Sequence, residues 1–312
     1  MNIKPMIKKT IYLGNPYYVG LRNNQLELRV PEGSKPEKLL TRSIPLEDIG
    51  IIILDHPRIT LSMPLIQQVN ELNIALITCD TRHMPAALLL PIEGHTLQQE
   101  RFRAQLEASE PLRKQLWAQT IKQKIKNQGF LLSILGFSDQ AWVLNKWSGE
   151  VSSGDKMNLE ARAAALYWKT IFSEFYPDFT RDRIGGPGND LLNYGYAIVR
   201  ATVARSLVGS GLLPTLGIHH SNRYNAYALA DDIMEPFRIY VDRLVYEILK
   251  DHGGEAPVLD TGIKARLLEL PAKEVLINGQ RSPMMVGLQR TTSSLASCFE
   301  GEAKRILYPE LV

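Results

Sequence analysis

The sequence predicts an α+β protein in which a small N-terminal β-rich domain is followed by a larger, mainly α-helical C-terminal domain. Three observations lead to this prediction. Short β-prone runs fill the first part of the chain, helical periodicity dominates from Gln98 onwards, and the segment between them breaks both patterns. We therefore expect a β-rich domain over residues 1–88, a linker over 89–97 and a helical catalytic domain over 98–312.

The N-terminal domain is expected to contain short strands and one helix. Residues 49–54, IGIIIL, form a continuous apolar run, which is typical of a strand covered on both faces, and residues 74–79, IALITC, have the same character. Between these runs, Ser62 can cap a helix whose first turn contains Pro64. Further β-prone runs lie at 10–13, 17–21, 26–30 and 42–44, with the loop PEGSKPEK at 31–38.

The second domain is expected to be built from helices. After the helix that begins near Gln98, Ser109-Glu110-Pro111 starts another one, with a stripe of Leu112, Leu116, Ile121 and Ile125 and with Lys114, Lys122, Lys124 and Lys126 largely off that stripe. Asn278-Gly279 indicates a β-hairpin between two short β-prone arms. Other helices are expected over 138–146, from Asn189 to Gly209–Gly211, and over 293–307.

Composition restricts the class of protein. The chain has 312 residues, 45% of them hydrophobic and 22% charged, with a formal net charge of +3 and a pI near 8.7. This mildly basic balance is compatible with nucleic-acid binding without requiring it. Cys79 and Cys298 are far apart in the sequence and form no CxxC pair, so a zinc site is not expected. Both cysteines are expected to be buried, reduced thiols.

The termini and the hydropathy pattern point to a cytoplasmic protein without a membrane partner. The first residues, MNIKPMIKKTIYLG, lack the long apolar core and the cleavage site of a signal peptide. No apolar run approaches the roughly 18 residues that a membrane helix needs.

Glu160 is the first candidate for chemistry. It stands near the start of a helix that Asp155 or Asn158 can cap, and Ala163, Tyr167 and Ile171 follow it at helical spacing. The carboxylate therefore heads an apolar stripe, where it needs a charged partner or a metal ion. The alternative is a first-turn glutamate that interacts with the helix dipole or with an arginine.

The stretch 217–238, GIHHSNRYNAYALADDIMEPFR, contains the other candidates. His219 and His220 lie in a turn, and because adjacent side chains usually point apart, at most one of them is expected to be a metal ligand. The alternative is a histidine bonded to the nearby backbone.

Three acidic residues, Asp231, Asp232 and Glu235, can share one face of the following helix, where a cation would relieve their mutual repulsion. Pro236 is expected to kink that helix. The alternative is a solvated acidic face in which Glu235 pairs with Arg238.

Together these residues predict a divalent-cation site. Carboxylate and imidazole ligands suit Mg²⁺ or Mn²⁺ better than structural zinc. No nucleophile elbow or phosphate-binding loop is found, which fits phosphoryl chemistry in which a metal activates a hydroxyl or water. Phosphate contacts are expected from Arg162, Arg181, Arg183, Arg200, Arg205, Arg223 and Arg238, although Arg200 and Arg205 could instead pair with buried carboxylates.

Tyrosines near these elements could stack on bases: Tyr194, Tyr196, Tyr224 and Tyr227. For Tyr196, and for Tyr167 on the Glu160 helix, core packing with a bonded hydroxyl is the favoured alternative.

Four segments resemble the CRISPR-associated integrase family, the Cas-one family, most closely its type II version. They are 44–62 (IPLEDIGIIILDHPRITLS), 158–168 (NLEARAAALYW), 189–238 (NDLLNYGY to DIMEPFR) and 291–309 (TTSSLASCFEGEAKRILYP). The resemblance covers nearly the whole chain, and its motifs occur in the family's order.

The resemblance implies a homodimer whose N-terminal domain makes dimer and partner contacts and which joins the smaller Cas-two protein, in a setting that includes the type II effector machinery. It implies insertion of double-stranded spacer DNA into a CRISPR array by attack of 3′-hydroxyls on repeat phosphodiesters. Matched residue by residue, the family's metal ligands correspond to Glu160, His220 and Glu235, with Asp232 as an auxiliary residue. Two rival hypotheses are a metal-dependent nuclease for branched or single-stranded DNA in repair, and a non-catalytic DNA-binding scaffold.

Overall fold

The computed structural model describes residues 8–31 and 43–311. The chain divides into two compact units, Met1–Gly94 and His95–Val312. The N-terminal unit is built mainly from strands and the C-terminal unit mainly from helices, so the predicted fold class is confirmed.

Among its described residues, the N-terminal unit contains two four-stranded sheets and one α-helix. One sheet has the order β1-β5-β7-β8, in which β1, β5 and β7 are parallel and β8 is antiparallel to β7; the other has the order β4-β3-β2-β6. The strands are β1 (Lys9–Leu13), β2 (Tyr18–Arg22), β3 (Gln25–Arg29), β4 (Ser43–Pro45), β5 (Ile49–Leu54), β6 (Thr60–Leu61), β7 (Ala75–Cys79) and β8 (Pro85–Leu89), and the helix is α1 (Met63–Glu71).

Burial explains why the strand predictions in this unit are largely confirmed. All six residues of β5 are buried, as the unbroken apolar run predicts. Helix α1 begins after Ser62 with Pro64 in its first turn, and it buries Leu65 and Val69. Strand β8 and the two-residue β6 were not predicted. The predicted loop 31–38 lies outside the described residues, apart from Pro31.

The C-terminal unit contains nine helices among the described residues, together with a β-hairpin. They are α2 (Gln98–Glu107), α3 (Glu110–Ile134), α4 (Ser138–Glu150), α5 (Leu159–Ile171), α6 (Asn189–Gly209), α7 (Ala228–Met234), α8 (Arg238–Asp251), α9 (Thr261–Leu267) and α10 (Met284–Phe299), with β9 (Glu274–Ile277) and β10 (Gln280–Pro283).

Two local predictions in this unit are confirmed. The Ser109 side chain accepts a hydrogen bond from the backbone N–H of Leu112 at the start of α3. Asn278 and Gly279 both have positive φ, as a two-residue hairpin turn between β9 and β10 requires.

The prediction of a last helix over 293–307 is wrong at both ends. Helix α10 starts directly after the hairpin at Met284 and ends at Phe299. Gly301 then has a φ of 78°, a left-handed conformation that stops a helix at little cost. In the described parts of the chain, none of the helices combines the length and the apolar character that a membrane crossing requires.

Candidate metal centre

Glu160 is placed by the first turn of α5. The side chain of Asp155 accepts hydrogen bonds from the backbone N–H groups of Leu159 and Glu160, each at 2.9 Å. These bonds satisfy donors that a helix start otherwise leaves unpaired. The Glu160 side chain is 27% exposed, so it lies at the rim of the core.

Glu235 is placed by a break in the predicted helix. Helix α7 ends at Met234, a 3₁₀ turn covers Glu235–Phe237, and α8 begins at Arg238. The predicted interruption at Pro236 is therefore present, and Asn127 of α3 donates a hydrogen bond to the Pro236 carbonyl at 3.0 Å. The turn leaves the Glu235 side chain only 7% exposed.

A lysine joins these two carboxylates. The Nζ of Lys124 lies 2.8 Å from Oε1 of Glu160 and 2.7 Å from Oε2 of Glu235, and the lysine side chain is only 12% exposed. The expectation that Lys124 stands off the buried face of α3 is therefore wrong. Its neighbour on the stripe, Ile125, is fully buried, and Lys124 reaches over that face to two carboxylates that require a cation.

Glu235 is held in its charged form. Burial alone would raise its pKa, but the charges of Arg238 and Lys124 outweigh burial and lower the pKa to about 2. The Nε of Arg238 donates to Oε1 of Glu235 at 2.9 Å. Burial likewise opposes the charged form of Lys124, but Glu235 and Glu160 raise the pKa of its ammonium.

His220 is held by Asp232. The ring Nδ1 of His220 makes a short hydrogen bond to Oδ1 of Asp232, and because a carboxylate only accepts, Nδ1 carries a proton, which leaves Nε2 as the ring nitrogen that a metal ion could bind in the neutral imidazole. This bond raises the pKa of His220; burial opposes the rise, and the charges of Asp232, Glu235 and Glu160 add to it. His220 therefore lies within the electrostatic reach of both carboxylates.

Asp232 also organises the turn that carries His220. Its Oδ2 accepts from the backbone N–H groups of Ile218 and His219 at 2.7 and 2.9 Å, and the residue is fully buried. A Cβ at Gly217 would lie 2.3 Å from the His220 carbonyl, so the turn requires glycine there. With both oxygens engaged in these bonds, Asp232 positions His220 in this structure, and its auxiliary role at a metal ion stays a prediction.

The two adjacent histidines have different surroundings. The His219 ring stacks on Trp117 with centroids 4.1 Å apart and planes 3° apart, whereas His220 meets the edge of the same indole at 5.7 Å. The two rings lie edge to face, with centroids 5.4 Å apart, so the expectation that the adjacent side chains point apart is wrong. This arrangement favours His220 over His219 as a ligand.

Among the described residues, no group of three His, Cys, Asp or Glu side chains stands close enough together to hold a metal ion. In this structure the Lys124 ammonium lies between Glu160 and Glu235. The donor set nevertheless fits a divalent cation. Two carboxylates already converge on one positive charge, and Oε2 of Glu235 is buried without a hydrogen bond of good geometry, although Lys124 is in ionic contact with it.

The predicted DNA-contacting arginines fall into two groups. Arg162, Arg183 and Arg223 are exposed. The others have partners within the chain or are buried: Arg181 donates to Asn189 and Asn193, Arg238 pairs with Glu235, Arg205 is buried, and Arg200, whose side chain is 43% exposed, pairs with Asp231 at 2.6 Å. The phosphate-contacting role of this second group stays a prediction. Asp231, one of the residues that the alternative places on a solvated acidic face, is paired with Arg200.

The tyrosines also divide. Tyr167 and Tyr196 are buried and both donate to Asp242, as the core-packing alternative predicted. Tyr194 is fully buried, so it cannot stack on a base from the surface, whereas Tyr224 is 80% exposed beside Arg223.

Sequence reasoning missed three residues of this centre: Lys124, Trp117 and Asn127. All lie on α3 at spacings of seven and three residues, a pattern that places them on adjoining faces of one helix. The signal available was a lysine and an asparagine within an apolar stripe that faces two acidic elements.

The comparisons with known proteins identify the family of the chain. The family model for CRISPR associated protein Cas1 matches residues 11–256, and the chain belongs to that family. It is 36% identical to the CRISPR-associated endonuclease Cas1 of Neisseria meningitidis serogroup C (strain 8013) over 273 residues, which is 87% of this chain and 88% of the relative. The family recognised from the sequence motifs is therefore confirmed.

Solved structures share the fold at lower identity. A casposase bound to integration product has a TM-score of 0.77 and 19% identity, covering 96% of this chain and 92% of that one. A chain of a Cas6-RT-Cas1–Cas2 complex has a TM-score of 0.74 and 20% identity, covering all of this chain and 37% of that one.

Proposed function

We propose that the protein is a DNA endonuclease/integrase of CRISPR adaptation and that Glu160, His220 and Glu235 hold a Mg²⁺ or Mn²⁺ ion. One observation carries the proposal: carboxylates from α5 and from the 3₁₀ turn, far apart in sequence, meet around a single positive charge within reach of an oriented imidazole. Membership of the Cas1 family and the relative named an endonuclease support it.

The protein's own residues prepare the centre. Asp155 fixes the start of α5 and so the position of Glu160, and Asp232 holds Nδ1 of His220, so that Nε2 is the ring nitrogen that would bind an ion. Arg238 keeps Glu235 ionised. A divalent ion held there would activate an attacking hydroxyl and stabilise the leaving oxygen of a phosphodiester.

The proposed reaction is insertion of spacer DNA into a CRISPR array, in which a DNA 3′-hydroxyl attacks a phosphodiester of the repeat. The DNA supplies the nucleophile, so no serine or cysteine nucleophile is needed. The neighbouring casposase bound to integration product supports DNA joining, and the Cas1–Cas2 complex supports a Cas2 partner. We further propose a homodimer with contacts through the N-terminal unit, working alongside type II effector machinery.

A joining assay tests this proposal. The protein, with and without its Cas2 partner, is mixed with a spacer duplex, a plasmid that carries the repeat, and Mg²⁺ or Mn²⁺. We expect covalently joined products that disappear with a chelator or when the spacer's 3′ ends are dideoxy-blocked. Absence of joining under all conditions, with DNA bound, would contradict the proposal.

A nuclease acting on branched or single-stranded DNA is the second candidate, favoured by the word endonuclease in the relative's name. In the same assay it predicts metal-dependent nicking that is insensitive to 3′ blocking. A non-catalytic scaffold predicts DNA binding without metal-dependent products.

A further inference from the structure

Lys124 is the one charged side chain of α3 that contacts both acidic residues of the centre. Its ammonium makes contacts of 2.8 and 2.7 Å with Glu160 and Glu235. Lys122, two residues earlier on the same helix, is exposed. Helical geometry therefore provides a matched pair of lysines, one inside the centre and one outside it.

The charges of the two glutamates are balanced without any added ion. Two carboxylates, Glu160 and Glu235, face the two cations Lys124 and Arg238. A divalent ion on the same carboxylates would place two further positive charges next to an ammonium in a partly buried site. Like charges at such separations repel strongly where water is scarce.

The two cations differ in how firmly they are held. Arg238 uses the other oxygen of Glu235, Oε1, and its guanidinium lies over the Tyr196 ring, 4.6 Å from the centroid. Lys124 occupies Oε2, the oxygen that lacks a hydrogen bond of good geometry, at the end of a flexible four-carbon stem. An incoming ion can therefore displace the lysine ammonium by side-chain rotation while Arg238 stays in place.

We propose that Lys124 is an internal competitor of the metal ion: its ammonium occupies the position between Glu160 and Glu235, and a divalent cation must displace it to bind. This inference rests on the proposed metal site. It assigns Lys124 the roles of neutralising the carboxylates when no ion is bound and of weakening ion binding when the ion arrives.

Replacing Lys124 by glutamine therefore has two opposite consequences. The ion-free protein loses stability, because two carboxylates lose a shared counter-charge. The divalent ion binds more tightly, because no ammonium has to leave.

The test is a titration of the full chain with Mn²⁺ in the absence of DNA. Binding is measured by calorimetry and by the decrease of the EPR signal of free Mn²⁺. Lys124→Gln is expected to bind Mn²⁺ about tenfold or more tightly than the wild type and to show a larger rise of Tm at saturating ion. Lys122→Gln, the matched control, is expected to match the wild type in both. Unchanged or weaker binding by Lys124→Gln would overturn the inference.

A measurement on the wild type does not depend on how the variant folds. The protein is labelled with ¹⁵N-lysine, and the NMR signal of the Lys124 ammonium is assigned by its absence in Lys124→Arg. The protons of this ammonium are expected to exchange slowly with water in the ion-free protein and rapidly at saturating Mg²⁺. An ammonium signal that stays protected at saturation would overturn the inference. If the wild type binds Mn²⁺, Glu160→Gln does not, and Lys124→Gln binds like the wild type, the proposed function is left intact and only the competition is refuted. If the wild type does not bind Mn²⁺, both proposals are contradicted.

Discussion

Glu235 and Asp242 are two buried carboxylates on the same stretch of chain with opposite electrostatic surroundings. Glu235 faces Arg238 and Lys124, and its pKa falls to about 2 in spite of burial. Asp242 accepts hydrogen bonds from the hydroxyls of Tyr196 and Tyr167; burial raises its pKa to about 6, and the two tyrosines together with Arg238 and Arg181 only partly offset that rise.

The difference separates the carboxylate that we propose as a metal ligand from one that is bonded within the core. Cationic neighbours keep Glu235 ionised, the state in which a carboxylate binds a metal ion. Neutral hydroxyl donors satisfy Asp242 within the core. The two carboxylates also make the free energy of unfolding depend on pH in opposite directions. The stabilisation from ionised Glu235 is present above the ordinary pKa of a glutamate and is lost as pH falls towards about 2. The stabilisation from protonated Asp242 is present at low pH and is lost as pH rises through about 6.

The largest effect is expected on DNA-joining activity when one carboxylate of the proposed metal centre is replaced. Glu160→Gln keeps the size and the hydrogen-bonding capacity of the side chain but removes a carboxylate from the centre. We expect DNA joining to fall by about a thousandfold or more, with the circular-dichroism spectrum unchanged. Asp242→Asn, the control from the structural site, is expected to stay within about tenfold of the wild type. Equal losses in the two variants would remove the distinction.

A smaller loss is expected where a carboxylate acts through another residue. Asp232→Asn weakens the bond that orients His220 and is expected to lower joining by about 10–100-fold. The neighbouring Asp231→Asn, which alters a pair with Arg200, is expected to change joining little. If Asp231→Asn reduced joining more than Asp232→Asn did, the orienting role would be refuted.

Stability against pH tests the structural site directly. Between pH 4 and pH 7 the wild type pays an increasing cost for ionising Asp242, and Asp242→Asn does not. We expect the free energy of unfolding of Asp242→Asn, relative to the wild type, to improve by about 1–3 kcal/mol over this range, measured by urea denaturation. A difference that is independent of pH would show that Asp242 is ionised throughout.

The smallest expected effects concern the arginines that are predicted to contact DNA. Some of them pair with acidic residues of the chain, and others face solvent. Arg183→Gln and Arg223→Gln are each expected to weaken DNA binding a few-fold and to reduce the slope of log K against log salt by about one. Arg200→Gln is expected to leave the slope unchanged, because Arg200 pairs with Asp231. Fluorescence anisotropy at several salt concentrations distinguishes these outcomes.

Most of the fold could be predicted from local patterns. The buried run of β5, the Ser109 cap of α3 and the Asn278-Gly279 turn are each specified by adjacent residues. The last helix was misplaced because its end depends on Gly301, and its start on the hairpin that precedes it.

The centre was only half predictable. Glu160, His220 and Glu235 carry recognisable signals, but the partners that define their chemistry come from α3. Lys124 looks like an ordinary surface lysine until α3 packs against α5 and the 3₁₀ turn. Likewise, nothing in the spacing of Asp231 and Asp232 shows that the first pairs with Arg200 and the second holds His220.

Equilibrium binding of Mn²⁺ to the wild type, Glu235→Gln and Asp242→Asn tests the central claim most directly. We expect one site per chain in the wild type and in Asp242→Asn, and loss of that site in Glu235→Gln, with all three proteins folded. Retention of the site in Glu235→Gln would contradict the assignment of the metal centre.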